Sequence, residues 1–585
     1  MASFHEAGGT VAVTVTAVAP TLTHLKLQPL PPPTIRRKNS VLRKCGIIGI
    51  YKREDSGAAA PEIYEGLLML QHRGQDSAGI VSTDWTSFHE KKDNGLVKDV
   101  FEDKATMAVL TGSAGLGHVR YPTAGSSDAS EAQPFFVNSP LGMYLVHNGN
   151  LTNTDALRRQ LASSTSFFDR HMRTSSDSEV LLNVLADEVH RAHQEANAAY
   201  DACVVDLDDD ATEEERAAKC GPGPDWTEPG AKAKLLFSAG ERLMKMVEGA
   251  YSCVTLVKGV GLVCFRDPLG IRPLVLGRRL TELGAEYCVA SEDCAFGPLG
   301  FDRVRDILPG EMVVVTPTGD LLSQQCAASP KLNPCIFEYI YLSRPDSVLN
   351  DVSVYDFQLG LGTRLAERVA ERGWEVDCVV PVPDGSRPAA IQMAAVLGLP
   401  YREGLVKNRY VGRTFIMPDQ RTRELSVRRK LNAMPSVFQG RSVLLVDDSI
   451  VRGTTMAQIV SMVRKAGAAR VYMASAAPAV RHPNVYGVDM PSRKELVAAH
   501  LTEDEVCAVL GCDGLLYQTV EDMVEVGRGL NPLIEEFDAA CFTGHYVTGV
   551  TSEYLDEVES NARGKGRDRA GANIGSLAGA NAGAS

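Results

Sequence analysis

The stretch "SVLLVDDSIVRGTTM" at 442–456 decides the fold of the second half of the chain. Its apolar strand ends in two adjacent acids, Asp447 and Asp448, and a short loop at 449–453 leads into a helical stretch. Backbone N–H groups at such a loop and helix start bind phosphate, and threonine hydroxyls add donors. The two carboxylates suit ribose hydroxyls or a hard divalent cation. Since ligands of open α/β sheets lie at the carboxyl ends of the strands, the stretch predicts a sugar-phosphate site.

Two neighbouring segments support that site. "VVPVPDGSRPAA" at 379–390 is a strand followed by a turn that suits pyrophosphate, which its backbone amides would bind, and Ser386 can reach a metal. The stretch at 405–432 is strongly basic. A charge run usually marks a solvated face, but this one lies between two phosphate-binding segments of an acidic protein, which favours a mobile anion-binding lid. Its basic residues are Lys407, Arg409, Arg413, Arg428, Arg429 and Lys430.

After about Asn333, apolar strands alternate with helical stretches, which is the βαβ pattern of a parallel sheet covered by helices. An isolated Asp-Asp pair would favour a simple capped turn, but the full string "VLLVDDSIVRGTT" resembles the phosphoribosyl-pyrophosphate (PRPP) loop of type I phosphoribosyltransferases. The resemblance implies one Mg²⁺ at each PRPP site, on Ser386, Asp447 and Asp448. The implied PRPP-binding residues are Asp447, Asp448, Ser449, Arg452, Gly453, Thr454, Thr455, Lys407 and Arg413.

The first half of the chain has a different pattern. From Cys45 to about Pro317 it contains many short strands rich in Val, Ile and Tyr, with helical stretches near 61–71 and 178–192. This pattern predicts an α+β domain with a sheet-rich core. The first strand, in "VLRKCGIIGIY", begins with a cysteine directly after a basic cluster. A cut between Lys44 and Cys45 would give that cysteine a free amine beside its thiol.

Four further motifs accompany that cysteine: "LQHRGQDSAGI", "GLGHVRYPTAG", "VHNGN" and "RTSSDSEV". Singly, Arg120 suits a surface ion pair, Asn148–Gly149 a turn, and Asp177 a helix N-cap. Together with Cys45 they resemble class II glutamine amidotransferases, whose nucleophile is the N-terminal residue. The resemblance implies an αββα sandwich.

The resemblance also implies a role for each residue. An N-terminal amine has a pKa of roughly 8, so it can take the proton of the Cys45 thiol near neutral pH. Asn148 and the Gly149 N–H would form the oxyanion hole. Arg120 would bind the glutamine carboxylate, and Asp177 its α-amino group. His118 is not needed as a base and is expected to be structural.

An amidotransferase domain followed by a PRPP-binding domain closely resembles the amidophosphoribosyltransferase family, over about Cys45 to Leu555. The resemblance implies a transferase that makes 5-phosphoribosylamine, glutamate and pyrophosphate, the first committed step of purine synthesis, with purine nucleotides as inhibitors. It also implies a homo-oligomer, a dimer or tetramer. Two alternatives stay open: a non-catalytic PRPP-sensing regulator, or another class II glutamine amidotransferase such as a glucosamine-phosphate synthase. A PRPP-sensing regulator would not need Cys45, Arg120, Asn148 and Asp177 together. A glucosamine-phosphate synthase would have sugar-isomerase domains in place of the PRPP loop.

Many members of that family carry a [4Fe–4S] cluster on four cysteines. Only two of the four implied positions hold cysteine here, and two thiolates do not hold the usual cluster. Cys507 and Cys512 have no matching spacing. The sequence therefore predicts that no cluster is bound. The four positions are Cys335, Asn484, Asp538 and Cys541.

Composition sets the remaining limits. The chain has 585 residues, a net charge of −13 and 44% apolar residues, as expected of a globular protein with at least two domains. The negative charge argues against nucleic acid as a partner, and no apolar run is long enough to span a bilayer. Thirteen cysteines without a C-x-x-C pair favour reduced thiols over a disulfide framework.

The N-terminal 44 residues are rich in Thr, Ala, Val and Pro, and their only acidic residue is Glu6. This composition resembles an organelle transit peptide and, without an evident Arg-rich amphipathic helix, favours a plastid over a mitochondrion. The alternative is a disordered extension on a cytoplasmic protein. The predicted organisation is a transit or propeptide segment (1–44), an amidotransferase domain (45–317) with a surface insertion (200–234), a phosphoribosyltransferase domain (333–520), a helical segment (521–558) and a disordered tail (559–585).

Overall fold

Two antiparallel sheets lie face to face in the first half of the chain. The computed structural model describes residues 45–121, 129–162, 170–205, 219, 229–408, 431–488, 490 and 492–560. The seven-stranded sheet has the order β11-β9-β10-β1-β4-β2-β3, and the six-stranded sheet has the order β13-β12-β8-β7-β6-β5. The strands are β1 (Gly46–Tyr51), β2 (Ser77–Thr83), β3 (Phe88–Asn94), β4 (Ala114–Arg120), β5 (Phe135–Val137), β6 (Met143–Leu151), β7 (Gly249–Val257), β8 (Gly261–Arg266), β9 (Val275–Thr281), β10 (Gly284–Ala290), β11 (Asp302–Asp306), β12 (Glu311–Val315) and β13 (Leu321–Gln325).

Helices cover both outer faces of the sheet pair. Side chains alternate along β1: Ile47 and Tyr51 pack between the sheets, whereas Ile48 and Ile50 pack beneath helix α1. Helices α5 and α6 cover the other sheet through a second apolar cluster. This is the predicted αββα sandwich. The helices are α1 (Ala60–Met69), α2 (Val97–Val100), α3 (Lys104–Val109), α4 (Thr154–Leu161), α5 (Asp177–Val205), α6 (Pro229–Met246) and α7 (Phe296–Leu299).

The prediction for 200–234 was partly wrong. The helix expected near 178–192 continues to Val205, and α6 begins at Pro229, so both ends of the predicted surface insertion are helical. The alanine-rich run after residue 192 has a high helix propensity, and α6 buries Leu236 and Leu243 against the same cluster. Residues 206–218 and 220–228 lie outside the described part of the chain.

The second half contains the predicted parallel sheet. Four strands pair in the order β16-β19-β20-β21, all parallel, with helices between them along the chain. The strands are β14 (Val348–Leu349), β15 (Val352–Ser353), β16 (Cys378–Pro381), β17 (Leu405–Lys407), β18 (Leu431–Ala433), β19 (Ser442–Asp447), β20 (Arg470–Ser475) and β21 (Gly514–Tyr517). The helices are α8 (Val354–Arg372), α9 (Arg387–Leu397), α10 (Pro435–Phe438), α11 (Thr454–Lys465), α12 (Glu503–Leu510), α13 (Val520–Leu530) and α14 (Ala540–Thr543).

The C-terminal segment returns to the first half of the chain. Beyond α13 and the single-turn α14, residues 552–560 are helical, so the helix includes the first two residues of the predicted disordered tail. The Tyr554 hydroxyl donates to the carbonyl of Leu151 on β6 over 3.5 Å. Residues 1–44 and 561–585 lie outside the described part. None of the helices in the described part of the chain has the length and apolarity needed to cross a bilayer.

Candidate active sites

Cys45 lies directly before β1 and is half-buried. Its sulfur lies 3.8 Å from the carbonyl oxygen of Tyr121, and its own carbonyl accepts a 3.1 Å hydrogen bond from Arg73 Nε. Burial raises the pKa of the Cys45 thiol, and the nearby Arg120 and Arg73 guanidinium groups only partly offset it. The thiol therefore needs a base before it can act as a nucleophile.

Asn148 and Gly149 lie near the end of β6, across the sandwich from β1. Asn148 Nδ2 donates to Ser291 Oγ over 3.4 Å, and Ser291 Oγ accepts from the N–H of Ile47, two residues after Cys45. A Cβ on Gly149 would lie 1.9 Å from the carbonyl oxygen of Ala250, so only glycine fits. The sequence reading as a simple turn was wrong, because both residues belong to a strand paired with β7.

Arg120 and Asp177 flank the same cysteine. Arg120 forms a 2.6 Å ion pair with Glu131, and both side chains are buried, so the alternative of a surface ion pair was wrong. Asp177 begins α5, and its carboxylate accepts the N–H of Leu151 on β6 over 3.1 Å. Arg120 lowers the pKa of the Cys45 thiol and Asp177 raises it, so both charges lie near the sulfur. The fold thus brings together the residues predicted for glutamine.

His118 is buried in β4, and burial lowers its pKa to about 3, so it stays neutral. A neutral, buried imidazole suits the expected structural role.

Sequence reasoning missed Arg73 as a residue of the site, although the quoted motif "LQHRGQDSAGI" contains it. Arg73 is fully buried and binds two carboxylates, Glu292 of the sandwich and Glu338 of the segment that follows it. Glu292 also accepts the N–H of Arg344 over 2.9 Å and the hydroxyl of Ser347 over 2.8 Å. This network joins the backbone of Cys45 to the start of the second half of the chain. Motif spacing does not reveal it, because its members are far apart in sequence.

The second candidate site lies at the carboxyl ends of β16 and β19. Val382 N donates to the carbonyl of Val446 over 2.8 Å, which brings the turn at 383–386 beside the loop at 448–453. A Cβ on Gly385 would lie 2.4 Å from Asp448 Oδ2, so a larger residue there would displace that carboxylate. Gly453, at a φ of 69°, is the N-cap of α11, and the two threonines that follow are exposed. Their position fits a ligand approaching from solvent.

Asp447 and Asp448 are 8% exposed, and burial raises the pKa of each carboxyl group. Mutual repulsion of the two charges raises the pKa of Asp447 further. Two adjacent carboxylates offer oxygen ligands of the kind that Mg²⁺ prefers. Ser386 Oγ is buried and donates to the carbonyl of Val382 over 2.6 Å. The donor set therefore fits a hard divalent cation.

The cationic residues predicted for PRPP are partly engaged within the protein. Lys407 Nζ lies 2.6 Å from Asp384 Oδ2, and Arg452 lies 2.6 Å from Glu495. Ser449 Oγ donates to Asp448 over 2.9 Å. Arg413 and the rest of the predicted lid, at 409–430, lie outside the described residues.

The four positions implied for an iron–sulfur cluster lie on segments that are joined by backbone hydrogen bonds. Cys335 and Asp538 are bridge partners, and Arg481 and His482 both donate to the carbonyl of Cys541. Asn484 Oδ1 accepts the N–H groups of Tyr486 and Val488, and Asp538 Oδ1 accepts that of Ala540. Two of the four side chains thus bind backbone amides where thiolates would be required, so the set does not fit the cluster.

The described residues contain no group of three or more His, Cys, Asp or Glu side chains arranged for a metal ion. Cys507 and Cys512 lie beside each other, with 3.3 Å between the sulfurs. Among the described cysteines, Cys203 is disulfide-bonded, so the expectation of reduced thiols was wrong at that residue.

Fold and sites together define a two-part enzyme, a class II glutamine amidotransferase joined to a type I phosphoribosyltransferase. A family described as "Glutamine amidotransferase domain" matches residues 102–215, and one described as "Phosphoribosyl transferase domain" matches residues 358–492. The chain belongs to the amidophosphoribosyltransferase family. It is 48% identical to the amidophosphoribosyltransferase of Escherichia coli, over 88% of this chain and 95% of that one.

Other relatives support the same assignment. The amidophosphoribosyltransferase of Saccharomyces cerevisiae is 44% identical over 88% of this chain and 94% of its own length. The solved glutamine PRPP amidotransferase of Bacillus subtilis, in complex with ADP and GMP, superposes with a TM-score of 0.70 at 34% identity, covering 87% of this chain and 98% of that one. The two alternatives, a PRPP-sensing regulator and a glucosamine-phosphate synthase, are therefore not needed to account for the two domains.

Proposed function

We propose that the chain transfers the amide nitrogen of glutamine to PRPP, giving 5-phosphoribosylamine, glutamate and pyrophosphate. The observation that carries this proposal is the coexistence of two sites in one chain. Cys45 lies among Arg120, Asn148 and Asp177, and the acidic pair of β19 lies beside the pyrophosphate turn. A glutaminase alone would not need the PRPP site, and a phosphoribosyltransferase alone would not need the glutamine site.

The first half-reaction is the release of ammonia from glutamine. Removal of residues 1–44 exposes the Cys45 amine, which takes the thiol proton, and the thiolate then attacks the side-chain amide. Charge develops on the amide oxygen, where Asn148 Nδ2 and the Gly149 N–H stabilise it. The protonated amine returns its proton to the leaving nitrogen, ammonia departs, and water hydrolyses the thioester to glutamate. Arg120 and Asp177 hold the amino acid end of the substrate by charge.

The second half-reaction takes place at the carboxyl ends of β16 and β19. Asp447 and Asp448 would bind the ribose hydroxyls and, with Ser386, would hold Mg²⁺, whose positive charge would favour the departure of pyrophosphate. The loop at 449–455 binds the 5-phosphate with backbone N–H groups and hydroxyls. Lys407 and the basic stretch that follows it attract PRPP and close over it as a lid. Ammonia passes internally between the sites and attacks C1 of the ribose.

A PRPP-dependent glutaminase assay on protein that begins at Cys45 tests this function. Trimmed protein should release glutamate from glutamine, faster when PRPP is present, and should form phosphoribosylamine. Uncut protein should form phosphoribosylamine from ammonia only. If uncut protein used glutamine as well as trimmed protein does, the N-terminal amine would not be the base.

We also propose that no iron–sulfur cluster is bound. The support is that Asn484 and Asp538 use their side-chain oxygens on backbone amides. Anaerobic purification followed by iron and acid-labile sulfide analysis decides the matter. About four iron atoms per chain would contradict the proposal.

Three further proposals concern the setting of the enzyme. Residues 1–44 direct import into a plastid, and a fluorescent reporter fused to them should accumulate in that organelle. A reporter that stayed diffuse in the cytosol would contradict this.

Purine nucleotides inhibit the enzyme, a proposal supported by the relative solved with ADP and GMP. The protein is a dimer or tetramer, and light scattering should give a multiple of the chain mass.

A further inference from the structure

A loop of the phosphoribosyltransferase half lies against the proposed oxyanion hole. A Cβ on Gly487 would lie 2.9 Å from the carbonyl oxygen of Gly149, 3.0 Å from its carbonyl carbon and 3.2 Å from its Cα. One residue further along β6, Asn150 Nδ2 donates to the carbonyl of Val485 over 2.9 Å. Strand β6 therefore contacts this loop at two successive residues, through the backbone of Gly149 and the side chain of Asn150.

The shape of the loop at 484–488 depends on one side chain. Asn484 Oδ1 accepts the N–H of Tyr486 over 2.9 Å and that of Val488 over 3.1 Å, which folds the chain around Gly487. Gly487 has a φ of 97°, a conformation that other residues rarely adopt. Asn484 is 6% exposed, so its oxygen acts in a buried setting where lost hydrogen bonds are costly.

The loop is also fixed from its other side. The Tyr486 hydroxyl lies 2.8 Å from Thr548 Oγ1, and the Tyr546 hydroxyl donates to the carbonyl of Pro483 over 2.7 Å. The C-terminal segment thus holds the loop in place, while Asn484 sets its conformation. The contact with Gly149 is a property of the assembled chain, since its two sides come from different halves.

We propose that Asn484 is a positioning residue of the glutamine site, which holds Gly487 against Gly149 and thereby fixes the direction of the Gly149 N–H. The inference rests on the proposed use of that N–H as an oxyanion donor. An oxyanion donor acts only where charge develops in the transition state, so its misplacement lowers kcat more than it raises the KM for glutamine. The phosphoribosyltransferase half therefore supplies part of the geometry for glutamine hydrolysis.

Four variants of the enzyme that begins at Cys45 and is otherwise complete test the proposal. Asn484→Leu removes the acceptor, and Gly487→Ala places a methyl group against Gly149. Asn484→Asp keeps both acceptor bonds and loses none, because Asn484 Nδ2 is buried and has no hydrogen-bond partner among the described residues. Gly549→Ala is the matched control: Gly549 also has a positive φ, of 71°, but an added Cβ would meet nothing within 4 Å.

Three measurements separate positioning from a general loss of structure: glutamine kcat and KM, ammonia-dependent synthesis, and alkylation of Cys45 by iodoacetamide, which uses no oxyanion hole. Asn484→Leu and Gly487→Ala should lower glutamine kcat about 10- to 100-fold, somewhat less than complete loss of one donor costs. Their glutamine KM should change less than about twofold, because ground-state binding is untouched. Their ammonia activity and alkylation rate should equal those of the parent enzyme.

Asn484→Asp and Gly549→Ala should keep the parental glutamine kcat. The proposal is overturned if Gly487→Ala also keeps the parental glutamine kcat, or if Asn484→Asp lowers that kcat as much as Asn484→Leu does. It is also overturned if the ammonia activity of the variants falls in parallel with their glutamine activity. A parent enzyme that used ammonia but not glutamine would instead overturn the proposed function of the glutamine site.

Discussion

At the glutamine site, Asn148 and Arg120 lie buried on separate strands beside the half-buried Cys45, whereas the PRPP site combines a buried acidic pair with a loop whose two threonines are exposed. Asn148 and Arg120 are 1% and 5% exposed. Thr454 and Thr455 are exposed at the start of α11. A buried site is held by the packing around it, so remote contacts influence it. A loop site at a sheet edge is formed locally and adapts when its ligand arrives.

The sharpest way to separate the sites is to remove the nucleophile. Cys45→Ser should lower glutamine-dependent synthesis by about 10³-fold or more, the order of loss seen when a nucleophile is removed. Ammonia-dependent synthesis should stay within about twofold, because the PRPP site does not use the thiol. Steady-state assays with each nitrogen source measure both. Cys264→Ser, in the buried core of β8, serves as the control. Equal loss with ammonia would show that the sites are not separable.

The reverse experiment changes the PRPP site. Asp447→Asn should lower synthesis from glutamine and from ammonia alike by about 10²-fold, since it removes a charge that the ribose and Mg²⁺ require. Asp377→Asn is the matched control, because Asp377 caps the other end of β19 by accepting the N–H of Ser442 over 2.8 Å. If only the glutamine-dependent rate fell, the acidic pair would serve coupling rather than PRPP.

The network that joins the two halves predicts a change in stability. Burial raises the pKa of Glu292, but the adjacent His72 and Arg73 outweigh burial and hold it well below its usual value. A depressed carboxyl pKa contributes stability above the unfolded value of 4.5, and that stability is lost as the pH falls further. Glu292→Gln should therefore cost about 3 kcal/mol near neutral pH, as expected for a broken buried pair.

Thermal melting of the parent and the Glu292→Gln variant measures that cost. The difference in Tm between the parent and the variant should narrow as the pH falls below about 4.5. Glu521→Gln, an exposed acid in the first turn of α13, is the control and should melt like the parent. A gap that did not depend on pH down to acid conditions would mean that Glu292 contributes through packing and not through charge.

The smallest expected effect concerns the exposed cation near the PRPP site. Lys407→Ala should raise the KM for PRPP about three- to tenfold, with kcat for ammonia nearly unchanged, because a half-exposed lysine mainly attracts the anion. The effect should shrink as salt is added. Lys465→Ala, at the far end of α11, is the control. A KM that rose equally in both variants would make the effect one of net charge alone.

The family and both reactions follow from short, contiguous strings. "VLLVDDSIVRGTT" and "VVPVPDGSRPAA" each contain a strand, its turn and the start of a helix, so local chemistry is enough to identify the PRPP site. The position of Cys45 at a change in composition likewise points to an N-terminal nucleophile without knowledge of the fold.

Tertiary structure alone decided what surrounds those strings. The bond from Arg73 to the Cys45 carbonyl, the burial of the Arg120–Glu131 pair and the contact of Gly487 with Gly149 join residues far apart in the chain. No periodicity or spacing records such a contact, because it depends on how the sandwich and the parallel sheet pack together. The pairing of α5 with α6 has the same cause, since both helices contribute side chains to one apolar cluster beneath the six-stranded sheet.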